Sequence, residues 1–418
     1  MYRIKYKMLA MGLALLMCAS VLTAAFLPEG GKAGGNMSAG TNDGGFSITE
    51  DDSLALADTS SAFDQSLTDI APEVSGKQWL IVSLDGESLA DRRGNKDLSE
   101  FAETGRGKSI ERSLQNEQAD FLDNLRGAGI PYELKYSYTM LTNAVAIRTD
   151  VKYAEKIATM KGVSSVNISE YYYAPQDEEV SNNANVWGTG IYKVDEEVAN
   201  EYSKGMVAAV LDTGIDSSHE VFQVEPEEPS LSKEMVAERV FNGVNSGVQG
   251  LDPDVTADDV YYNSKIPFAY DYADKDTDVY PSYSAHGTHV AGIIAGSPVD
   301  NIVDQDGKPI LDQNNEQMDF RGVAPQAQLV ICKVFTDNAD STSLGGAEEM
   351  DILAALEDCV KLKVDVINMS LGSSAGFSTG DNEHMQEVYD SIRAAGSSLV
   401  VAASNDYSAH YGGTYGTN

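Results

Sequence analysis

The sequence predicts an α/β protein: a doubly wound parallel sheet preceded by a small α+β module. Three observations carry that reading. Short apolar runs, residues 206–211, 329–334, 364–369 and 398–402, recur in the C-terminal half without polar alternation. That is the pattern of strands buried on both faces. Helix-period stretches lie between them, at 348–362 with Ile352, Leu356 and Val360, and at 382–395 with Met385, Val388, Tyr389 and Ile392. Strand, helix, strand, helix, strand in this order implies a parallel sheet. Upstream, residues 77–170 carry strand and helix signals in the order β-α-β-β-α-β, which implies a split βαβ sandwich.

Taken from the N-terminus, residues 1–27 read as an export signal. Arg3, Lys5 and Lys7 precede an uncharged run from Met8 to Leu22, and Thr23-Ala24-Ala25 supplies small residues for cleavage. The run is short for a membrane anchor. The membrane is thus expected to be met only through that signal, and the product to be secreted or held in the cell envelope. Residues 28–76 are rich in Gly, Ser, Thr, Asp and Ala without lasting periodicity and read as a flexible leader.

The module at 77–172 follows. Residues 78–84 form its first strand, and 113–127 a helix with Leu114, Phe121, Leu122 and Leu125 on one face, ended by Gly127 and Gly129. Strands at 132–138 and 143–148, a short helix at 151–160 and a strand at 163–168 complete it. It holds no His and no Cys. Residues 171–205, with Tyr171-Tyr172-Tyr173 and an acidic, Asn-rich stretch, read as exposed and cleavable, and Trp187 and Tyr192 as packing onto the next domain.

Charge narrows the function classes. The 418 residues include 65 acidic and 29 basic ones, a formal charge of −36. Nucleic acid is a poor partner, because phosphates require Lys and Arg. The acidic excess either keeps the surface solvated or leaves carboxylates for a hard cation such as calcium. Cys18 falls inside the export signal. Cys332 and Cys359 read as two small buried hydrophobes, with a disulfide as the alternative.

Residues with chemistry gather at the predicted strand ends. The 206–211 strand runs into Asp212-Thr213-Gly214, the position where parallel sheets collect catalytic groups; a turn-forming Asp is the alternative there. Ala285-His286-Gly287-Thr288-His289-Val290-Ala291-Gly292-Ile293-Ile294 opens a helix whose Val290, Ile293 and Ile294 form a buried face. That would fix His286 at the helix mouth, as a general base requires. Ser370-Leu371-Gly372 follows the third strand, where small residues can pair with an extended peptide. Asn405 follows the fourth, where its amide can donate to an oxyanion or merely form a turn.

Together these pieces resemble the subtilisin-like serine peptidases, the subtilases. The matching stretches are Val210-Leu211-Asp212-Thr213-Gly214-Ile215-Asp216, His286-Gly287-Thr288-His289-Val290-Ala291-Gly292, Gly322-Val323-Ala324-Pro325 and Val366-Ile367-Asn368-Met369-Ser370-Leu371-Gly372. The order Asp, His, then Ser is the subtilisin order. The stretch Lys265-Ile266-Pro267-Phe268-Ala269-Tyr270-Asp271-Tyr272-Ala273-Asp274 is similar to the lactocepin-type cell-envelope proteinases.

The resemblance implies a subtilisin-type sheet, incomplete at its C-terminus, over 173–418. It implies that 77–172 is an inhibitory propeptide, and that protein or peptide substrates are cut. Asp212 would orient the imidazole, His286 would act as general base and acid, and Asn405 would bind the oxyanion. Ser370, Leu371 and Gly372 would line the groove. Calcium is common in the family, and Asp271, Asp274, Asp276 and Asp278 offer oxygen ligands.

The family's Gly-Thr-Ser-Met-Ala-like nucleophile motif does not occur in these residues. The serine is therefore expected beyond residue 418, and the chain as written is expected to be inactive by itself. The alternative reading is a truncated, non-catalytic product whose propeptide module binds and inhibits subtilases.

Overall fold

The computed structural model describes residues 76–173, 194–241, 252, 254–303, 307–311, 315–337, 346–371 and 383–402. The export signal, the leader, Trp187, Tyr192, Gly372 and Asn405 lie outside them. Among the described residues, no helix is long and apolar enough to cross a membrane.

The N-terminal module is a four-stranded antiparallel sheet with helices on one face. Its strands are β1 (Lys77–Leu84), β2 (Glu133–Tyr138), β3 (Ala144–Asp150) and β4 (Val163–Ile168), in the order β2-β3-β1-β4. The covering helix α1 runs from Gly105 to Gly127, eight residues earlier than its apolar stripe indicates. Thr104 caps it, its Oγ1 accepting from Gly107 N at 3.0 Å. Gly107 also fits only because it lacks a Cβ, which would stand 2.2 Å from the Phe101 carbonyl.

Alternation along β1 divides two cores. Leu80 and Val82 pack with Phe121, Leu122 and Leu125 of α1. Ile81 points the other way and joins Tyr136, Tyr138, Ala144 and Ala146 in the core that continues into the second domain. The module thus uses both faces of its sheet: one packs on α1, and the other joins a core shared with the second domain.

The second domain is built on a parallel five-stranded sheet. Its strands are β6 (Val207–Asp212), β7 (Phe268–Asp271), β8 (Gln328–Lys333), β10 (Val366–Met369) and β11 (Ser398–Val401), in the order β11-β10-β6-β8-β7. A short helix α2 (Glu196–Ser203) leads into it. Alternate residues of β6 enter opposite cores: Ala208 and Val210 on one side, Val207, Ala209 and Leu211 on the other. Helix α3 (His286–Ala295) covers the first face. Helices α4 (Glu349–Leu362) and α5 (Glu383–Ala394) cover the second. Apolar side chains on both faces of one strand are what the uniform apolar runs require.

The Tyr171–Tyr173 stretch differs from expectation. It is not exposed but forms a strand, β5, paired antiparallel with β9 (Gly346–Glu348). Tyr172 is buried. Residues 174–193 lie outside the described residues, so the cleavable stretch is untested there. Cys332 and Cys359 are free, buried thiols in contact, with Sγ atoms 3.8 Å apart.

Candidate active site

The C-terminal ends of β6, β7 and β8 converge on one edge of the sheet. Asp212 is the last residue of β6 and is 1% exposed. His286 is the first residue of α3, with its amide on Ser284 Oγ at 3.2 Å. The two side chains meet: His286 Nδ1 lies 2.8 Å from Asp212 Oδ1. The same oxygen accepts Thr213 N at 2.7 Å, while Oδ2 is buried without a hydrogen bond from the described residues. A carboxylate in this place accepts a hydrogen bond from Nδ1–H, which fixes that tautomer and leaves the basic lone pair on Nε2. The imidazole is a quarter exposed, so the dyad faces the mouth of the sheet.

Thr213 clamps this pair. Its Oγ1 donates to Ser284 O at 2.8 Å and accepts Gly287 N at 2.9 Å, binding the β6 end to the first turn of α3. One turn on, Thr288 Oγ1 accepts Asp216 N at 2.8 Å. The stripe of α3 that is buried differs from the predicted one. Gly287, Ala291, Ile294 and Ala295 are buried, while Val290 and Ile293 are only half-buried. Small residues make up most of the buried face, with Ile294 the one large side chain in it.

Gly287 shows how close the helix comes to the end of β6. A Cβ there would lie 2.2 Å from the Gly214 carbonyl oxygen, a backbone atom that cannot swing aside. Gly287→Ala should therefore push α3 and His286 off the sheet and cost about 3 kcal/mol. A thermal melt beside wild type checks this, and an unchanged Tm would show that the approach is not tight. Gly214 adopts φ +108°, open to glycine, with Val279 O against it.

β9 lies next to the end of β8, where Thr336 N donates to Gly346 O at 3.1 Å and Phe335 bridges Ala347. In the register Tyr171↔Glu348, Tyr172↔Ala347 and Tyr173↔Gly346, β5 adds to it as an extended strand. Gly346 leaves the room in which the Tyr171 ring sits; a Cβ would stand 1.9 Å from Tyr171 Cζ. Ser370 and Leu371 follow β10 directly, and Ala402 N donates to Met369 O at 3.0 Å, so the ends of β10 and β11 lie side by side. Ser370 is half-buried and accepts Asn368 Nδ2 at 2.9 Å; Leu371 is buried in the main core. Gly372 and Asn405 fall outside the described residues.

The acidic cluster departs from the proposed calcium set. Asp271 and Asp274 gather with Asp337, not Asp276. Asp276 accepts Asp278 N at 2.8 Å instead. The centre already holds a cation: Lys333 Nζ is 2.6 Å from Asp271 Oδ2 and 2.5 Å from Asp337 Oδ2. Burial pushes the Asp271 carboxyl up, against the pull of Lys333. Burial draws the Lys333 ammonium down, but its carboxylate partners outweigh this and hold it above its ordinary value. The Lys333 ammonium thus lies between two of the three carboxylates that gather here.

Three working residues were not evident in the sequence: Thr213, Lys333 and Gly346. Lys333 left a signal, a charge directly after the apolar run Leu329–Cys332 and before Val334. The clamp and the edge strand left none, because both are defined by partners far away in the chain.

A family model described as the subtilase family matches residues 203–418, just over half of the chain. The chain belongs to the subtilase family. The doubly wound parallel sheet is thus of subtilisin type, and the chain is related to serine peptidases. Among subtilases, the PII-type proteinase of Lactococcus lactis subsp. cremoris is 30% identical over 274 residues, which is 64% of this chain and 12% of that protein. The C5a peptidase of Streptococcus pyogenes is 28% identical over 209 residues, 49% of this chain and 15% of that one. The chain thus spans a small part of the curated relatives that it matches. Fervidolysin from Fervidobacterium pennivorans, a keratinolytic enzyme related to subtilisin, superposes with a TM-score of 0.45 at 17% identity, covering 80% of this chain and 41% of that one.

Proposed function

We propose that this subtilase is an exported serine endopeptidase in which Asp212 and His286 form two members of the catalytic triad and residues 77–172 act as inhibitory pro-domain. The observation that carries the reading is the Asp212–His286 hydrogen bond at the C-terminal edge of the sheet. His286 Nε2 takes the proton of a serine hydroxyl as its oxygen attacks the scissile carbonyl. It returns that proton to the leaving amine, while Asp212 stabilises the imidazolium. The serine would come from a Gly-Thr-Ser-Met-Ala-like motif beyond residue 418, and Asn405 would donate to the oxyanion.

The inhibitory reading rests on the contacts of the module. β5 occupies the β9 edge where a substrate peptide would pair. Tyr138 donates to Met350 O at 2.8 Å, Lys135 pairs with Asp351 at 2.6 Å, and Glu357 accepts Met140 N and Leu141 N, both at 2.8 Å. The L. lactis relative is named a proteinase and the S. pyogenes one a peptidase, which supports protein substrates here. Secretion is supported by the charge pattern of residues 1–27.

A fluorophosphonate probe specific for activated serines tests the reading on the full-length protein. One labelled serine in a Gly-Thr-Ser peptide is expected, with loss of casein hydrolysis. A full-length protein that neither labels nor hydrolyses would favour the non-catalytic inhibitor reading instead.

A further inference from the structure

β8 ends on a buried lysine that the hydrolytic chemistry does not use. Lys333 is 1% exposed and lies in register with both Asp212 of β6 and Asp271 of β7. Besides Asp271 and Asp337, its ammonium donates to Asp278 O at 3.3 Å. These oxygens come from two chain segments. Residues 271–279 lead from β7 toward His286, and residues 334–337 lead from β8 toward β9.

The first segment ends under the catalytic turn. Val279, next to the Asp278 carbonyl that Lys333 holds, accepts Ile215 N at 2.8 Å. A Cβ on Gly214 would meet Val279 O at 2.3 Å and Lys333 Cδ at 3.0 Å. The Asp212-Thr213-Gly214 turn therefore rests on a peptide and a side chain whose positions the ammonium sets.

The second segment ends on the peptide edge. Thr336 N donates to Gly346 O at 3.1 Å, and Phe335 bridges Ala347. Asp274 joins the two segments, its Oδ1 accepting Thr336 Oγ1 at 2.5 Å and its Oδ2 accepting Asp337 N at 2.9 Å.

We propose that Lys333 is a positioning residue that couples the catalytic turn Asp212–Gly214 to the peptide-binding edge strand Gly346–Glu348. One buried ammonium serves both segments, so a shift in one changes the position that the other can take. Networks of this kind respond as a unit, because each lost partner leaves a buried charge uncompensated. The inference rests on Asp212–His286 being the catalytic pair.

The test uses the full chain and needs no turnover. Asp337→Ala removes one partner from the edge-strand arm only, at a side chain that is 26% exposed. Two readouts lie on the other arm: amide exchange of Ile215, and the low-field proton resonance of the Asp212–His286 hydrogen bond. Exchange at Ile215 is expected to rise at least about tenfold, and the low-field resonance to shift or broaden. Exchange in α1 should stay as in wild type. Asp337→Asn, which keeps the volume, should move both readouts in the same direction should the Ala variant not fold. Faster exchange confined to residues 334–337 and 346–348, with Ile215 and the resonance unchanged, would overturn the coupling. Absence of hydrolysis in the wild-type full-length protein would instead count against the enzyme reading, since neither readout depends on turnover.

Discussion

Full-length protein carrying His286→Ala is expected to lose about six orders of magnitude in kcat, and Asp212→Ala about four, the scale of such losses in subtilisin. KM should change little, since neither group is needed to seat the peptide on β9. The asymmetry has a physical origin. His286 moves the proton, so without it the serine has no base. Asp212 only fixes the tautomer and compensates the imidazolium, through one hydrogen bond of 2.8 Å. A histidine lacking that partner still works, poorly. Steady-state hydrolysis of a peptide substrate checks both values. A near-wild-type rate in either variant would remove the triad assignment.

The second large effect is expected where the module sits on α4. Glu357 is buried, and its carboxylate accepts Met140 N and Leu141 N at 2.8 Å and Thr139 N at 3.4 Å. Glu357→Ala would leave these amides without their acceptor, a loss of about 3 kcal/mol or roughly 100-fold in retention of the pro-domain. Release of the cleaved module from the processed protein, followed by gel filtration, measures this.

The same interface predicts a pH dependence. Burial raises the carboxyls of Asp351 and Glu357 to about 7, against the pull of Lys135 and Lys361 respectively. With the module gone, both face water and return toward ordinary carboxylate values. A carboxyl whose pKa is raised in the assembled state stabilises that state below the free pKa, and the effect is lost as pH rises through about 7. The pro-domain should thus be held more tightly near pH 5 than near pH 8. Equal release rates at the two would contradict it.

Much of this architecture is legible without coordinates, and particular residues show why. Asp212 stands two residues before Gly214, and His286 directly before Gly287, each at the end of a strongly patterned segment, so local sequence announces both. The apolar run Leu329–Cys332 likewise declares a strand buried on two faces. The lysine that ends it gains meaning only once β7 and the 334–337 loop are seen to deliver three oxygens to it. β9 is three residues long and becomes a strand through pairing with Tyr171–Tyr173, some 175 positions earlier in the chain (Tyr172 opposite Ala347). No period can reveal such an element. The start of α1 was hidden for another reason: Gly105 and Gly107 read locally as helix breakers, whereas the Thr104 cap and the close packing on Phe101 keep them helical.

The acidic cluster carries a similar lesson. Asp271, Asp274 and Asp276 alternate in a loop as ligands for a hard ion would. The structure turns Asp276 away and brings in Asp337, with an ammonium between the carboxylates. The spacing offered oxygen ligands, but gave no sign that Lys333 would lie between two of them.

The central claim is that the Asp212–His286 pair drives peptide cleavage and that the module upstream is its inhibitor. Maturation of the full-length protein tests it most directly, by sequencing the N-terminus of wild type and His286→Ala side by side. A wild-type N-terminus appearing between residues 173 and 206, with 77–172 still bound, and an uncut His286→Ala protein is the result predicted. Cleavage at the same place in both proteins, or in neither, would contradict it.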